Sequence, residues 1–364
     1  MIMKKAFFIN GGAGRVLCSM PALEWYKQNV DDDLIIVSEG WSELYLANKV
    51  LRDHVYDVGH KNLFREKLID RDLCSPEPYR FNPYFNQKIN LIQAFDMLIN
   101  DLTDIPKTKS VNLEINKIDQ MFGYNFLSQV RNQYDREKVV VFQPFGQGAV
   151  REGAFIIDPS GRSFEVRDIV RIIKELSKDY AVVLMTNIEI PTEEPLGAAV
   201  PQANLLQWMG IINACDYFLG CDSLGQHYAS ALDKPATVVI GSTFPDNISY
   251  PDNKKFTIID NGKDLRMFNP FRVAPDFVAE RNNEDLMILD DKTLSSVIKS
   301  VKKTLGVSKY KKNTNTSSNL NQSNPVQIPP IDNYTHEKST CKNFNFTRKP
   351  QVLAQSVSSA IKPE

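Results

Sequence analysis

Short apolar runs alternate with helix-like segments in two successive series along this chain, and that alternation leaves few architectures open. The first series is Lys5-Ala-Phe-Phe-Ile-Asn10, Leu34-Ile-Ile-Val37 and His54 to Val58. The second is Lys138-Val-Val-Val-Phe142, Ala181 to Met185, Tyr217 to Gly220, Ala236 to Ile240 and Phe256 to Ile259. Continuous apolar runs suit strands covered on both faces, which is the habit of parallel sheets. Between them, 21–30, 42–51, 88–101, 111–134, 164–178, 205–215 and 223–232 read as helices, the first opening with Pro21 in its first turn. A last helix is expected from Asp291 to Leu305. Two such series predict an α/β chain with two parallel-sheet domains, and 364 residues are enough for two cores. The expected division is 1–135, 136–290, a closing helix over 291–307 and a tail over 308–364.

The tail is Asn/Ser/Thr-rich and has little to bury, so it predicts disorder. Its Gln351 to Ile361 stretch could form a short helix. The tail carries eight basic residues against three acidic ones, whereas the rest of the chain carries 35 against 41. An acidic body argues against a general nucleic-acid binder. No run of eighteen apolar residues predicts a membrane span, and peripheral contact through the basic tail stays open. Five cysteines without a CxxC spacing argue against a disulfide framework or a zinc site, and point to a reducing cytoplasm.

Ligands of open α/β sheets bind beyond the carboxyl ends of strands. The first such loop, Asn10-Gly-Gly-Ala-Gly-Arg15, lets a ligand approach backbone N–H groups at a helix start. A dinucleotide fingerprint on Gly12 and Gly14 would need glycine at position 17, which is Leu17, and no Walker lysine is present. A tight turn alone would also account for these glycines. A second loop, Phe142-Gln-Pro-Phe-Gly-Gln-Gly-Ala149, is followed by Arg151 and Arg162, either of which could pair with phosphate or simply face water. A third runs from Asp222-Ser-Leu-Gly-Gln-His227 into a helix. Asp222 and Ser223 suit an N-cap, Gly225 could hold a phosphate, and His227 is either a ligand contact or a structural histidine. Residues 60–90 form a long irregular segment rich in proline and aromatics; Tyr79, Phe81 and Tyr84 are candidates to face a cleft.

Gly14-Arg-Val-Leu-Cys-Ser-Met-Pro-Ala-Leu23, Arg162-Ser-Phe164, Asp222-Ser-Leu-Gly-Gln-His-Tyr-Ala-Ser-Ala-Leu232 and Pro235 to Pro245 together resemble glycosyltransferase family 9, the heptosyltransferase-like enzymes. The resemblance covers Lys5 to about Leu305. It implies a GT-B architecture: two Rossmann-like domains across a cleft, the last helix returning to the first. It also implies inverting, metal-independent transfer, without a cofactor, from a nucleotide-diphosphate sugar to a glycan or lipid-linked acceptor. Arg162 would contact the diphosphate, Ser223, Leu224 and Gly225 would offer it hydroxyl and N–H groups, and His227 would support their loop. The family's catalytic carboxylate falls on Arg15, and arginine cannot take a proton at neutral pH. Glu39, at the end of the second strand, is a candidate base by location. Leu224 stands where the family has glycine. A catalytically inactive relative that binds a nucleotide sugar or glycan is the alternative; an epimerase of the same architecture lacks its expected carboxylates and histidines here.

Overall fold

Lys5–Ile9 forms β1 and Gly11, at φ 90°, turns the chain into α1, Ala13–Asn29. The rest of the first half comprises β2 (Ile35–Ser38), β3 (Val55–Asp57), β4 (Asp72–Cys74), α2 (Asn82–Phe85) and α3 (Leu91–Ile99). The second half holds α4 (Lys117–Tyr134), β5 (Val139–Gln143), β6 (Val150–Glu152), β7 (Phe155–Ile157), α5 (Val166–Leu176), β8 (Ala181–Leu184), α6 (Leu205–Ala214) and β9 (Tyr217–Cys221). It continues with α7 (Leu224–Ala231), β10 (Ala236–Ile240), α8 (Pro245–Ile248), β11 (Phe256–Asp260), β12 (Arg272–Ala274), β13 (Phe277–Val278) and α9 (Asp291–Leu305). This computed structural model describes residues 4–248, 250–263, 265–266, 272–274, 277–278 and 285–307. The expected tail, with its short helix, lies outside the described residues.

Two parallel sheets result. The first has the order β3-β2-β1-β4 and the second β11-β10-β9-β5-β8. The central strands β5, β9 and β10 are buried along their whole length, as their unbroken apolar runs predict. β6 and β7 make a separate exposed hairpin after β5.

Some local expectations need correction. Pro21 lies in the middle of α1, not at its start; the helix begins eight residues earlier, within the glycine loop. Its ring removes one backbone donor that the carbonyl four residues back would have used, a loss the buried helix absorbs. The expected helix over 42–51 is a short 3₁₀ segment, Ser42–Ala47. The irregular stretch 60–90 hides β4, a short edge strand paired with β1. Helix α4 starts at Lys117, where the Asn116 side chain accepts from the Asp119 N–H, and not at 111.

Helix α4 lies before the expected boundary at 135, yet its longest contact is with α6 of the second half. Gly123 and Gly210 bring the two backbones together: a Cβ at 123 would sit 2.2 Å from the Gly210 carbonyl oxygen, and one at 210 would sit 2.0 Å from the Asp119 carbonyl oxygen. The last helix does not return to the first domain. Leu294, Val297, Ile298 and Val301 of α9 are buried in the same core as Val140, Phe142 and Leu184 of the second sheet. Among the described residues no helix is long and apolar enough to cross a membrane.

Candidate functional site

A cleft of about 420 Å³ lies where the strand ends of the two sheets face each other. Its walls combine Gly12, Ala13, Gly14 and Arg15 of the first half with Arg162, Asp222, Ser223, Leu224 and His227 of the second. Trp41 and Tyr79 line it on the first side, and Met185 to Ile188, Leu205 and Trp208 on the second. The sequence-predicted glycine loop, donor loop and Tyr79 therefore meet in one place.

The two halves touch through glycines. A Cβ on Gly14 would come within 2.7 Å of the His227 ring, and one on Gly12 within 2.6 Å of Gln147 Oε1. Only the missing side chains let the start of α1 lie this close to α7. His227 is 2 % exposed; its Nδ1 is 2.8 Å from the Tyr250 hydroxyl and 3.6 Å from Cys18 Sγ. Burial, helped by the Arg162 guanidinium, pushes its pKa down to about 4, so the ring is neutral at pH 7.

On the second side, Arg162 is the cation at the start of α7. Its Nη1 is 3.7 Å from Asp222 Oδ2 and its Nε donates to Ser160 Oγ; 28 % of its side chain stays exposed. Asp222 is sealed beneath it and accepts from Gln226 Nε2 at 2.5 Å and from the Thr243 hydroxyl at 2.8 Å. Burial raises the Asp222 carboxyl above its usual range, against the opposing pull of Arg162, Thr243 and Gln226. Asp222 thus holds Arg162 from beneath, at the floor of the cleft.

The phosphate-binding expectation for Gly225 needs correction. Gly225 is buried, it does not line the cleft, and its N–H donates to Gln143 Oε1 at 2.8 Å. The same Gln143 amide donates to Ser223 Oγ at 3.0 Å. A strand side chain thus caps α7, whose N-cap Ser223 makes no capping bond of its own. Arg151 is likewise outside the cleft lining; it sits on the exposed hairpin and pairs with Glu189 at 2.5 Å.

On the first side, the predicted base is absent from the site. Glu39 is exposed beyond β2 and is not among the lining residues. Phe81 is half-buried outside the lining, and Tyr84 is buried, its ring set edge-on to Tyr79 at 5.6 Å. Of the three aromatic candidates, Tyr79 alone reaches the cleft.

Arg15 occupies the interior, with a side chain 3 % exposed. Nη1 donates to Glu77 Oε1 at 2.9 Å, and Nη2 to Glu77 Oε2 at 3.3 Å and to the Pro76 carbonyl at 3.0 Å. The guanidinium also lies over the rings of Tyr79 and Phe95, at 5.1 and 5.5 Å. Sequence reasoning missed Glu77. The available signal was Arg15 itself: an arginine at the start of a buried helix demands a carboxylate, and Pro76-Glu77-Pro78 supplies one in the segment already singled out for its aromatics.

No family model and no curated protein sequence matches the chain. Solved structures do. E. coli ADP-heptose lps heptosyltransferase II aligns with a TM-score of 0.50 at 15 % identity, covering 82 % of this chain and 98 % of that one. A family 9 glycosyl transferase from Veillonella parvula aligns with a TM-score of 0.50 at 12 % identity, covering 83 % and 97 %. The iron-containing dodecameric glycosyltransferase TibC of enterotoxigenic E. coli aligns with a TM-score of 0.51 at 13 % identity, covering 84 % and 78 %. The chain has the heptosyltransferase fold, GT-B. In that GT-B frame the cleft described above separates the two Rossmann-like sheets. Among the described residues no three His, Cys, Asp or Glu side chains group as a metal site.

Proposed function

We propose that the chain is a glycosyltransferase, taking a nucleotide-diphosphate sugar in the second half of the cleft and a glycan or lipid-linked acceptor in the first. The observation that carries this reading is Arg162: a guanidinium partly open to a cleft, at the start of α7, in a GT-B fold. A departing diphosphate needs positive charge and oriented dipoles, and an arginine beside a helix N-terminus supplies both. The Ser223 hydroxyl adds a donor. ADP-heptose is the first donor to try, because it names the E. coli heptosyltransferase II and was bound to TibC in another structure. Inverting, metal-independent transfer belongs to this proposal; it predicts that chelators leave the rate unchanged.

The test is thermal stability against ADP-heptose and a panel of other nucleotide sugars and diphosphates, since a ligand of the folded state raises the midpoint by mass action. A rise with one donor that Arg162→Ala abolishes supports the reading; no rise across the panel sinks it. The second reading, a binder without transfer, is favoured by Arg15 in the carboxylate position. It is told apart by a donor that raises the midpoint and is never turned over.

A further inference from the structure

The first half of the cleft is walled by rings and carries almost no free charge. Its lining brings in Trp41, Tyr79 and Leu91, and Arg15 is the one charged side chain among the lining residues of that half. The Arg15 guanidinium is paired with Glu77 at 2.9 Å, its side chain is 3 % exposed and its Nε–H is buried, so it offers the cleft little charge. Tyr79 is covered by Arg15 on one face and stands edge-on to Tyr84. Trp41, by contrast, is half-buried and lines the cleft, and among the described residues no hydrogen bond or ring contact engages its indole.

The Trp41 backbone is a second anomaly. It sits at φ 62°, ψ 25°, in the left-handed region. The other described non-glycine residues with positive φ are Asp, Asn and one Gln, and Asp and Asn visit this region routinely. For a bulky aromatic the conformation is costly, and it persists where a site makes use of it. Glu39-Gly-Trp41 leaves the carboxyl end of β2, where ligands of such sheets bind. Ser38 Oγ braces this loop by donating to the Gly40 carbonyl at 2.5 Å, and the Trp41 carbonyl accepts from the Leu44 N–H at 3.0 Å. The indole is thus fixed at the wall by the chain on either side of it.

We propose that Trp41 is the stacking platform for the acceptor, and that the acceptor presents an uncharged sugar ring to it. The inference rests on the glycosyltransferase reading and deepens it by naming the acceptor's class. A pyranose has a face of C–H bonds, which lies against a flat apolar ring, and hydroxyls around its edge. An indole supplies that ring and one N–H donor for such a hydroxyl. The face of the ring is electrically negative, so it attracts C–H dipoles and repels a phosphate or a carboxylate. An anionic acceptor needs an unpaired cation, and the cation of this half is already paired with Glu77. Trp41 decides which acceptor is taken and has no part in the bond changes.

The experiment uses the full chain and whichever donor raises its midpoint. It follows nucleoside diphosphate release with methyl glycosides of neutral hexoses, with a hexose phosphate and with a uronic acid. Release is expected with the neutral sugars. Trp41→Gly is expected to raise the KM for them about 10-fold or more, while the donor-induced midpoint rise stays. Glycine suits φ 62°, so this variant keeps the native backbone of the loop. Trp41→Phe retains a smaller ring and loses the N–H, and its KM should fall between the two; it carries the test if glycine impairs folding. Turnover of the anionic sugars alone overturns the inference, as does a KM within about twofold of native in both variants. A donor-induced rise that Trp41→Gly abolishes also overturns it, by placing the indole under the donor. So does a native chain that binds donor and releases diphosphate with no neutral sugar. A chain that binds no donor fails earlier, at the glycosyltransferase reading, and takes this inference with it.

Discussion

The two arginines of the cleft are built in opposite ways. Arg15 is sealed, held by three hydrogen bonds to Glu77 and Pro76, and stacked on two rings. Arg162 is partly exposed, and its carboxylate partner stands off at 3.7 Å. A cation clamped this way by its neighbours is committed to holding structure. One with a loose partner and an open face keeps charge in hand for a ligand. The difference assigns the first half of the cleft to shape and the second to charge.

The largest effect that would sharpen this contrast is on stability. Arg15→Ala removes three hydrogen bonds and two ring contacts and leaves the half-buried Glu77 without its partner, and should cost about 3 kcal/mol of unfolding free energy. Arg162→Ala should cost less, about 1 to 2 kcal/mol, because buried Asp222 keeps its bonds from Gln226 and Thr243. Urea unfolding of the two variants checks it; equal losses would break the contrast. The next effect is a pH dependence from His227, which sits between the two sides. Its folded pKa of about 4 lies below the ordinary 6.5, so the unfolded chain binds the extra proton. Stability is then full above pH 6.5 and falls as pH drops toward 4, by on the order of 3 kcal/mol at most. His227→Gln should flatten that slope, and a slope that survives would assign it to other groups. The smallest effect concerns Gln143. Its replacement by alanine should cost about 1 kcal/mol of stability, because it frees the Gly225 N–H and the Ser223 hydroxyl. The donor-induced midpoint rise should be kept, since the Ser223 oxygen only accepts from Gln143 and its O–H is available with or without that amide; a weaker rise would mean that Gln143 itself contacts the donor.

Legibility followed burial. β5, β9 and β10 are apolar without interruption and were readable as core strands, and α9 matches its expected limits because Asp290 caps it and Gly306 ends it. β4 was not readable: Asp72-Leu-Cys74 is short and largely exposed, and only pairing with β1 makes it a strand. The glycine loop and donor loop were found because glycine and charge at strand ends mark them. Glu77 was not, because its role comes from a contact across 62 residues that no local pattern encodes. The occupation of Gly225 by Gln143 was hidden for the same reason: a side chain from β5 does the work that an N-cap usually does.

Asn247 of α8 has a mechanical meaning. Its buried amide donates to the Tyr84 carbonyl at 2.9 Å and the Ile89 carbonyl at 3.0 Å, so a helix of the second half grips the aromatic segment of the first. Arg15 grips the same segment at its other end, through Pro76 and Glu77. Residues 76–89 are thus anchored from both halves of the chain, by Arg15 at one end and by Asn247 at the other. Tyr79 lies between those two anchors, so the aromatic ring that lines the cleft sits on a stretch tethered at both ends.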